Sequence, residues 1–466
     1  MGLDMIEPNK YRQLFLDDGA IEKKISVHQT VHQPEKVGPA VRPDRSRGET
    51  GLQSRISPQW NSEKGLWEWW FGNDFATSED GEHWERFPVE EIPDHVVRDE
   101  RDPDPQRRYK GLLSTGHNCD LCPALSADGI EWNRLDVPPI PSADEHQFTY
   151  DPYNDQFIAM VKHSTEWGRS VWLSTSKDGE HYSEPELIFH TDEIDRENRK
   201  KRVSEVLENP AYIKPAFVDD VDYIAEAYHM AVMPYEGFYI GFPLIFNPIG
   251  AVPPPHMNFT RINQIELAVS RDLYHWDRVA DRALFIGIEP WDGKRYDTNQ
   301  VGMSGQPVVH ENGEIYIYYI GCRFPSRKEE YEHYNHNEEL YRLNVDPDLF
   351  DDEVTICLAK LRPDGFVSMD ADAAGTIITK PFMWRGEDLY VNVDARWGTL
   401  YADILDAETN NVFPGFWVPA ELPNPLKGDH LRAKFEWKPD HNLVFDKPVR
   451  LRFYLHQAQL YSFWLE

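Results

Sequence analysis

The sequence predicts an all-β protein: a five-bladed β-propeller over residues 1–375, followed by a C-terminal antiparallel β-sandwich over residues 376–466. Three observations predict this. A hairpin motif recurs along the first part of the chain, each copy follows two further strand-like runs, and the last part alternates apolar and polar residues without the motif. The copies read ATSEDGEHWERF from Ala76, ALSADGIEWNRL from Ala124, LSTSKDGEHYSEP from Leu173 and AVSRDLYHWDRV from Ala268. A degenerate fifth, LAKLRPDGFVSM, starts at Leu358. Asp-Gly marks a tight turn because Gly accepts positive φ and Asp bonds the backbone ahead of it. Four strands per recurring unit is the pattern of a propeller blade.

The stretches LYVNVDARWGTLYADILDAETNNVFPGF, HLRAKFEWKP and VRLRFYLHQAQLYSFWLE supply the sandwich strands. Helix signals are sparse, and the best is Thr191–Asn209. It contains the basic run RKKR at Arg199–Arg202, read as a solvated face. The stretch LFLDDGAI near the N-terminus reads as an edge strand that closes the propeller, with a part for Asp18 in the chemistry left open.

Composition narrows the partners. The chain has 466 residues with 40% hydrophobic and 13% aromatic content, enough to bury more than one core. Its net charge of -32 repels a phosphate backbone or an anionic membrane, so neither nucleic acid nor membrane is expected as a partner. No apolar leader or spanning segment is visible, and a cytoplasmic location is expected. The four cysteines include one CxxC, Cys119 and Cys122, with no second pair at zinc-ligand spacing, and all four are expected as free thiols.

Blade topology sorts the acidic residues by face. The Asp-turn hairpins lie on one face, so Asp80, Asp128, Asp178 and Asp272 are expected to be turn caps. Functional groups belong on the opposite face, where innermost strands begin and long connections return. That face collects Arg55, Asp94, His95, Asp144, Glu145, His146, Glu226, Tyr228, His229, Trp291, Asp292, Ser304 and Gln306. The connections Pro243–Gln264 and Phe324–Asp352 are expected there as shaping loops.

A cleft of carboxylates and aromatics suits glycoside hydrolysis, which needs a proton donor and a second carboxylate as base or nucleophile. The catalytic candidates are Glu226 as the acid, with apolar neighbours expected to raise its pKa, Asp144 as base or nucleophile, and Asp292 as an auxiliary. Arg55, His95, His146, Tyr228, His229, Trp291 and Gln306 are the candidate substrate-binding residues. The expected partner is a carbohydrate, bound either for hydrolysis or without catalysis. No cofactor is required by the pattern, no metal-ligand spacing is present, and converging oxygens leave room for a calcium ion near the axis.

The stretches QLFLDDGAI, SADEHQFTYDPYNDQFIAMVK, AVMPYEGFYIGFPLIF, LAVSRDLYHW, WDGKRYD and VRLRFYLHQAQLYSFWLE resemble glycoside hydrolase families 32, 43 and 68, and more closely bacterial proteins similar to the family 32 N-terminal domain. The resemblance implies a five-bladed propeller with a sandwich behind it. The early Asn-Asp-Pro-Asn motif and the Glu-Cys pair of family 32 are absent, and Arg101–Pro103 falls in a hairpin on the wrong face, so that family's catalytic residues do not carry over.

Overall fold

The computed structural model describes residues 4–116, 119–215, 217–252, 254, 258–323, 352–414, 416, 425–437 and 444–466. Among the described residues the fold is all-β apart from one α-helix, Glu193–Glu208, and short 3-10 turns. Three four-stranded antiparallel sheets follow one another with strands in sequence order. The first holds Gln59–Asn61, Leu66–Phe71, Asp74–Ser78 and Glu85–Pro88. The second holds His95–Arg98, Tyr109–Ser114, Leu121–Ser126 and Asn133–Arg134. The third holds Gln147–Asp151, Gln156–Thr165, Gly168–Ser176 and Glu186–Phe189.

A larger sheet contains two more units of the same kind. Glu226–Tyr235, Phe238–Val252, Ala268–Ser270 and Asp277–Arg278 form the fourth. Gln300–Met303, Ile315–Cys322, Val354–Leu361 and Glu35–Val41 form the fifth, so an N-terminal strand completes it. The stretch expected to do this, Leu14–Ile21, lies elsewhere. Leu14 pairs with Ser462 and Ile21 with Thr379, because the side chains of Leu14, Phe15 and Leu16 fit between the fourth unit and the C-terminal sheet.

The cores explain the order of the units. Apolar clusters lie between neighbours: Val97, Leu112, Phe148 and Phe157 join the second and third units, and Ile158, Leu173, Met230 and Tyr239 join the third and fourth. Phe242 and Ile265 meet Ile317 and Tyr319 between the fourth and fifth, and Trp69 and Trp70 meet Tyr318 and Leu358 between the fifth and first. The first strands of the first four units touch in succession, and the Ser57 hydroxyl donates to the Gln306 carbonyl at 2.7 Å across the fifth-to-first junction.

The Asp-turn repeat has one structure at all four sites. At Asp80 the carboxylate accepts from the N–H groups of Glu82 and His83, and Ser78 Oγ accepts from Gly81 N–H. The same bonds recur around Ser126 and Asp128, Ser176 and Asp178, and Ser270 and Asp272. These aspartates are therefore caps whose lone pairs are spent on the backbone.

Two further expectations change. Residues 243–264 were read as a Pro-rich loop, yet Phe238–Val252 and Asn258–Glu266 pair as a long hairpin from Leu244↔Ile265 to Val252↔Asn258. The register shift after Pro248 absorbs the proline's missing N–H, and nearly every side chain of the first arm is buried. The basic run is only half solvated: Arg199 donates to the Pro248 carbonyl at 2.7 Å, and Arg202 meets Glu266 at 2.5 Å in the interior. The Phe324–Asp352 connection lies outside the described residues except for Asp352.

The last strands, Val367–Thr379, Leu389–Asp406, Leu426–Lys434 and Val449–Leu465, form one antiparallel sheet with Gln13–Leu14, Ile21–Ile25 and His28–Val31. Register breaks at Ala371/Ala374 and Asp394/Thr399 flank Gln457, whose φ is 44°. The long strands bend together there. Val391 and Phe463 on one side of the bend share a core with Ile404 and Phe453 on the other.

Candidate functional site

The first strands of the units carry polar residues where β-alternation would place core, and these residues meet. Arg55, just before the first unit, grips Glu145 with two bonds of 2.5 and 2.9 Å. Burial pushes the Glu145 carboxyl up, but Arg55 outweighs it and the pKa falls to about 2. His95 Nε2 and His146 Nδ1 share one proton across 2.6 Å, both rings being buried. Burial, then His146, holds His95 well below the usual histidine range. Burial also lowers His146, against the pull of Asp94 and Glu145. His229 meets Gln147 at 3.0 Å and is pushed down to about 3 by burial. The three imidazoles are therefore neutral at pH 7, and Asp94 is held by the N–H of Ser114.

Beside this centre lies a row of ion pairs. Lys162 has a side chain only 3% exposed, and its ammonium lies 3.9 Å from the centre of the Tyr228 ring and pairs with Asp144, which is 62% exposed. Burial lowers the lysine pKa while Asp144 holds it up. The Tyr228 hydroxyl donates to Asp144 at 3.3 Å, and burial with Glu145 pushes its pKa to about 12. Arg169 crosses the same ring at 5.2 Å, pairs with Glu226 and donates its backbone N–H to that carboxylate at 3.2 Å. Glu226 thus lies against a guanidinium, where apolar neighbours were expected; its side chain is 18% exposed.

Arg55, Asp94, His95, Asp144, His146, Tyr228, His229 and Glu226 are accordingly brought into one connected group. Gln306 and Gln147 line a narrow void beneath it with Phe148, Met160 and Val232. Trp291 and Asp292 sit in their own loop. Asp292 accepts from the N–H groups of Lys294 and Arg295 at 2.9 and 3.0 Å, and Trp291 donates its N–H to the Ala211 carbonyl at 2.9 Å.

Sequence reasoning missed Lys162, Arg169 and Cys322. Burial raises the Cys322 thiol to about 12, with Arg261 pulling down and Arg55 and Glu145 also within electrostatic reach. A signal for the two cations existed. The apolar run of the third unit's second strand ends on Lys162, and Arg169 opens the next strand after a tight turn. Among the described residues no three His, Cys, Asp or Glu side chains are gathered as a metal ion would need, and no helix is long and apolar enough to cross a membrane.

No family model matches the chain, and no curated protein sequence matches it. Several solved structures similar to it are described as glycoside hydrolases. One described only as a glycoside hydrolase is 15% identical, with 72% of this chain and 93% of that chain covered and a TM-score of 0.41. The catalytic domain of a family 62 α-L-arabinofuranosidase of Coprinopsis cinerea is 11% identical over 71% and 97% of the two chains, with a TM-score of 0.42. The family 32 β-fructofuranosidase of Bombyx mori is 11% identical over 94% and 93%, with a TM-score of 0.35.

Proposed function

We propose that this protein is a glycoside hydrolase acting at the end of an oligosaccharide or polysaccharide by carboxylate acid/base chemistry. The observation that carries the reading is that two carboxylates are gathered about one tyrosine, Asp144 directly and Glu226 through Arg169. Asp144 accepts from the Tyr228 hydroxyl, and Glu226 is bound to the guanidinium that crosses the Tyr228 ring. A sugar bound beside the Tyr228 hydroxyl, between Asp144 and Glu226, lies between a base and a proton donor, the arrangement that glycosidic cleavage needs.

In this reading Glu226 protonates the leaving oxygen as the C–O bond breaks. Asp144 either takes a proton from the attacking water or attacks the anomeric carbon itself. Lys162 pairs with Asp144 and orients it. Arg169 has to slide off Glu226 as the glycosidic oxygen arrives, so substrate binding and release of the proton donor are coupled. Glu145 is spent on Arg55 and shapes the floor.

Replacing Asp144 by Asn and Glu226 by Gln is each expected to lower kcat/KM on aryl glycosides and natural oligosaccharides about 10³-fold, with the thermal midpoint little changed. Full activity in either variant overturns the assignment. A second reading, a non-catalytic carbohydrate-binding protein, is favoured by one observation: Asp144, Glu145 and Glu226 are each held by a cation. Sugar binding by the unaltered protein without turnover establishes that reading.

A further inference from the structure

Along one end of the third unit, the charged and aromatic groups fall one per strand. Asp144 and Glu145 precede its first strand, Lys162 is on the second, Arg169 is on the third, and His190 follows the fourth. Paired strands lie about 4.8 Å apart, so the row runs about 14 Å outward, longer than one sugar ring. At its outer end the half-buried Trp167 ring lies on the His190 imidazole, with centres 5.7 Å apart and planes 14° from parallel.

Trp167 belongs to the tight turn between the second and third strands, and that turn is tied to Glu226. Gly168 has φ of 77°, and a Cβ there would sit 2.3 Å from the Glu226 carboxylate. The next residue, Arg169, donates its N–H to the same carboxylate, and Thr191 Oγ1 donates to the Trp167 carbonyl at 3.5 Å. The backbone of Trp167 and the Glu226 carboxylate are therefore held close together, and His190 sets the plane of the indole.

We propose that Trp167, backed by His190, is a stacking platform for the sugar on the leaving-group side of the scissile bond. The preferred substrate is then a chain of neutral sugars running outward along the third unit. This rests on Glu226 being the proton donor. The donor touches the glycosidic oxygen, so the next sugar lies beyond it, away from Asp144, and the row places Trp167 in that direction. An indole face takes up the C–H face of a pyranose or furanose ring, as aromatic rings do with other flat apolar surfaces. Before substrate arrives Arg55, Lys162 and Arg169 are each matched by Glu145, Asp144 and Glu226, so no unpaired cation of this row recruits an anionic sugar, and neutral sugars are the class expected.

The test is a printed array of neutral oligosaccharides with their matching monosaccharides, read with the intact protein. The unaltered protein is expected to hold some oligosaccharide at least about tenfold more tightly than its monosaccharide. Trp167→Ala brings the two within about twofold, as truncating a buried aromatic contact does, and Trp167→Phe restores most of the preference. Glu226→Gln keeps the preference while losing turnover. The platform is overturned if Trp167→Ala, with an unchanged thermal midpoint, retains the preference, or if the unaltered protein holds no oligosaccharide more tightly than its monosaccharide. If Glu226→Gln still turns substrate over, the donor assignment falls, and the inference drawn from it falls with it even where Trp167 contributes to binding.

Discussion

At the residue scale, three buried neutral histidines set the acid behaviour of the protein. His229 has its pKa pushed down to about 3, whereas an unfolded histidine titrates near 6.5. A depressed folded pKa means that stability is fully present above 6.5 and is lost as pH falls from there toward 3, because only the unfolded chain takes up the proton. The full loss from His229 alone is on the order of 5 kcal/mol. His95 and His146 act in the same direction. The exposed His83, His181 and His275 run the other way. Hydrogen bonds to Asp80, Asp178 and Asp272 raise their pKa, so what they contribute is present in acid and fades as pH rises through the raised values. They are solvated, and the buried rings dominate. Urea unfolding at pH 7 and pH 5 is expected to show a clear loss of stability at the lower pH. In His229→Gln that loss is smaller, although the variant starts less stable; an unchanged pH dependence would exclude His229 as a source.

At the element scale, the bend of the C-terminal sheet depends on one glycine. A Cβ on Gly398 would sit 1.7 Å from the His456 carbonyl oxygen, a backbone atom that cannot swing aside. Gly398→Ala is therefore expected to force the strands apart and to cost about 2 kcal/mol or more, read as a lower thermal midpoint. The neighbouring Trp397, 84% exposed, needs no such room, and Trp397→Ala is expected to leave the midpoint nearly unchanged. Elements were legible in the sequence where one short-range rule decided them. The Asp-turns were read correctly because Ser, Asp and Gly close their bonds within six residues. The later part of the Phe238–Val252 arm, from Pro243 on, was misread because proline signalled a loop, while the burial that overrides it comes from packing on other units.

At the scale of the whole molecule, Asp364 joins parts of the chain that are far apart. Its carboxylate accepts from Arg12 at 3.0 Å, from the Tyr235 hydroxyl at 2.7 Å and from the Ser462 hydroxyl at 2.6 Å. The Arg12 guanidinium, raised by Asp364 against the cost of burial, also meets Glu236 at 2.9 Å. Asp364→Ala strands these donors in the interior and is expected to cost about 3 kcal/mol, measured by denaturant unfolding. Asp364 belongs to the Pro-Asp-Gly of the degenerate repeat, and nothing in that local sequence points to distant partners. Only the approach of the N-terminal segment and the final strand makes it a clasp.

The same division runs through the candidate site. The sequence by itself determined the all-β class and the chemistry of the Asp-turn hairpins, because turn chemistry and alternation act over a few residues. The hydrogen bonds of the Asp-turns leave them no free carboxylate for chemistry. The tertiary structure alone decided how each acid is held. Asp144 pairs with Lys162 from a neighbouring strand, Glu145 with Arg55 ninety positions back, and Glu226 with Arg169 from the preceding unit. A carboxylate's charge state follows from what lies within a few ångströms of it, and packing between units sets those neighbours at sequence separations that no local pattern records.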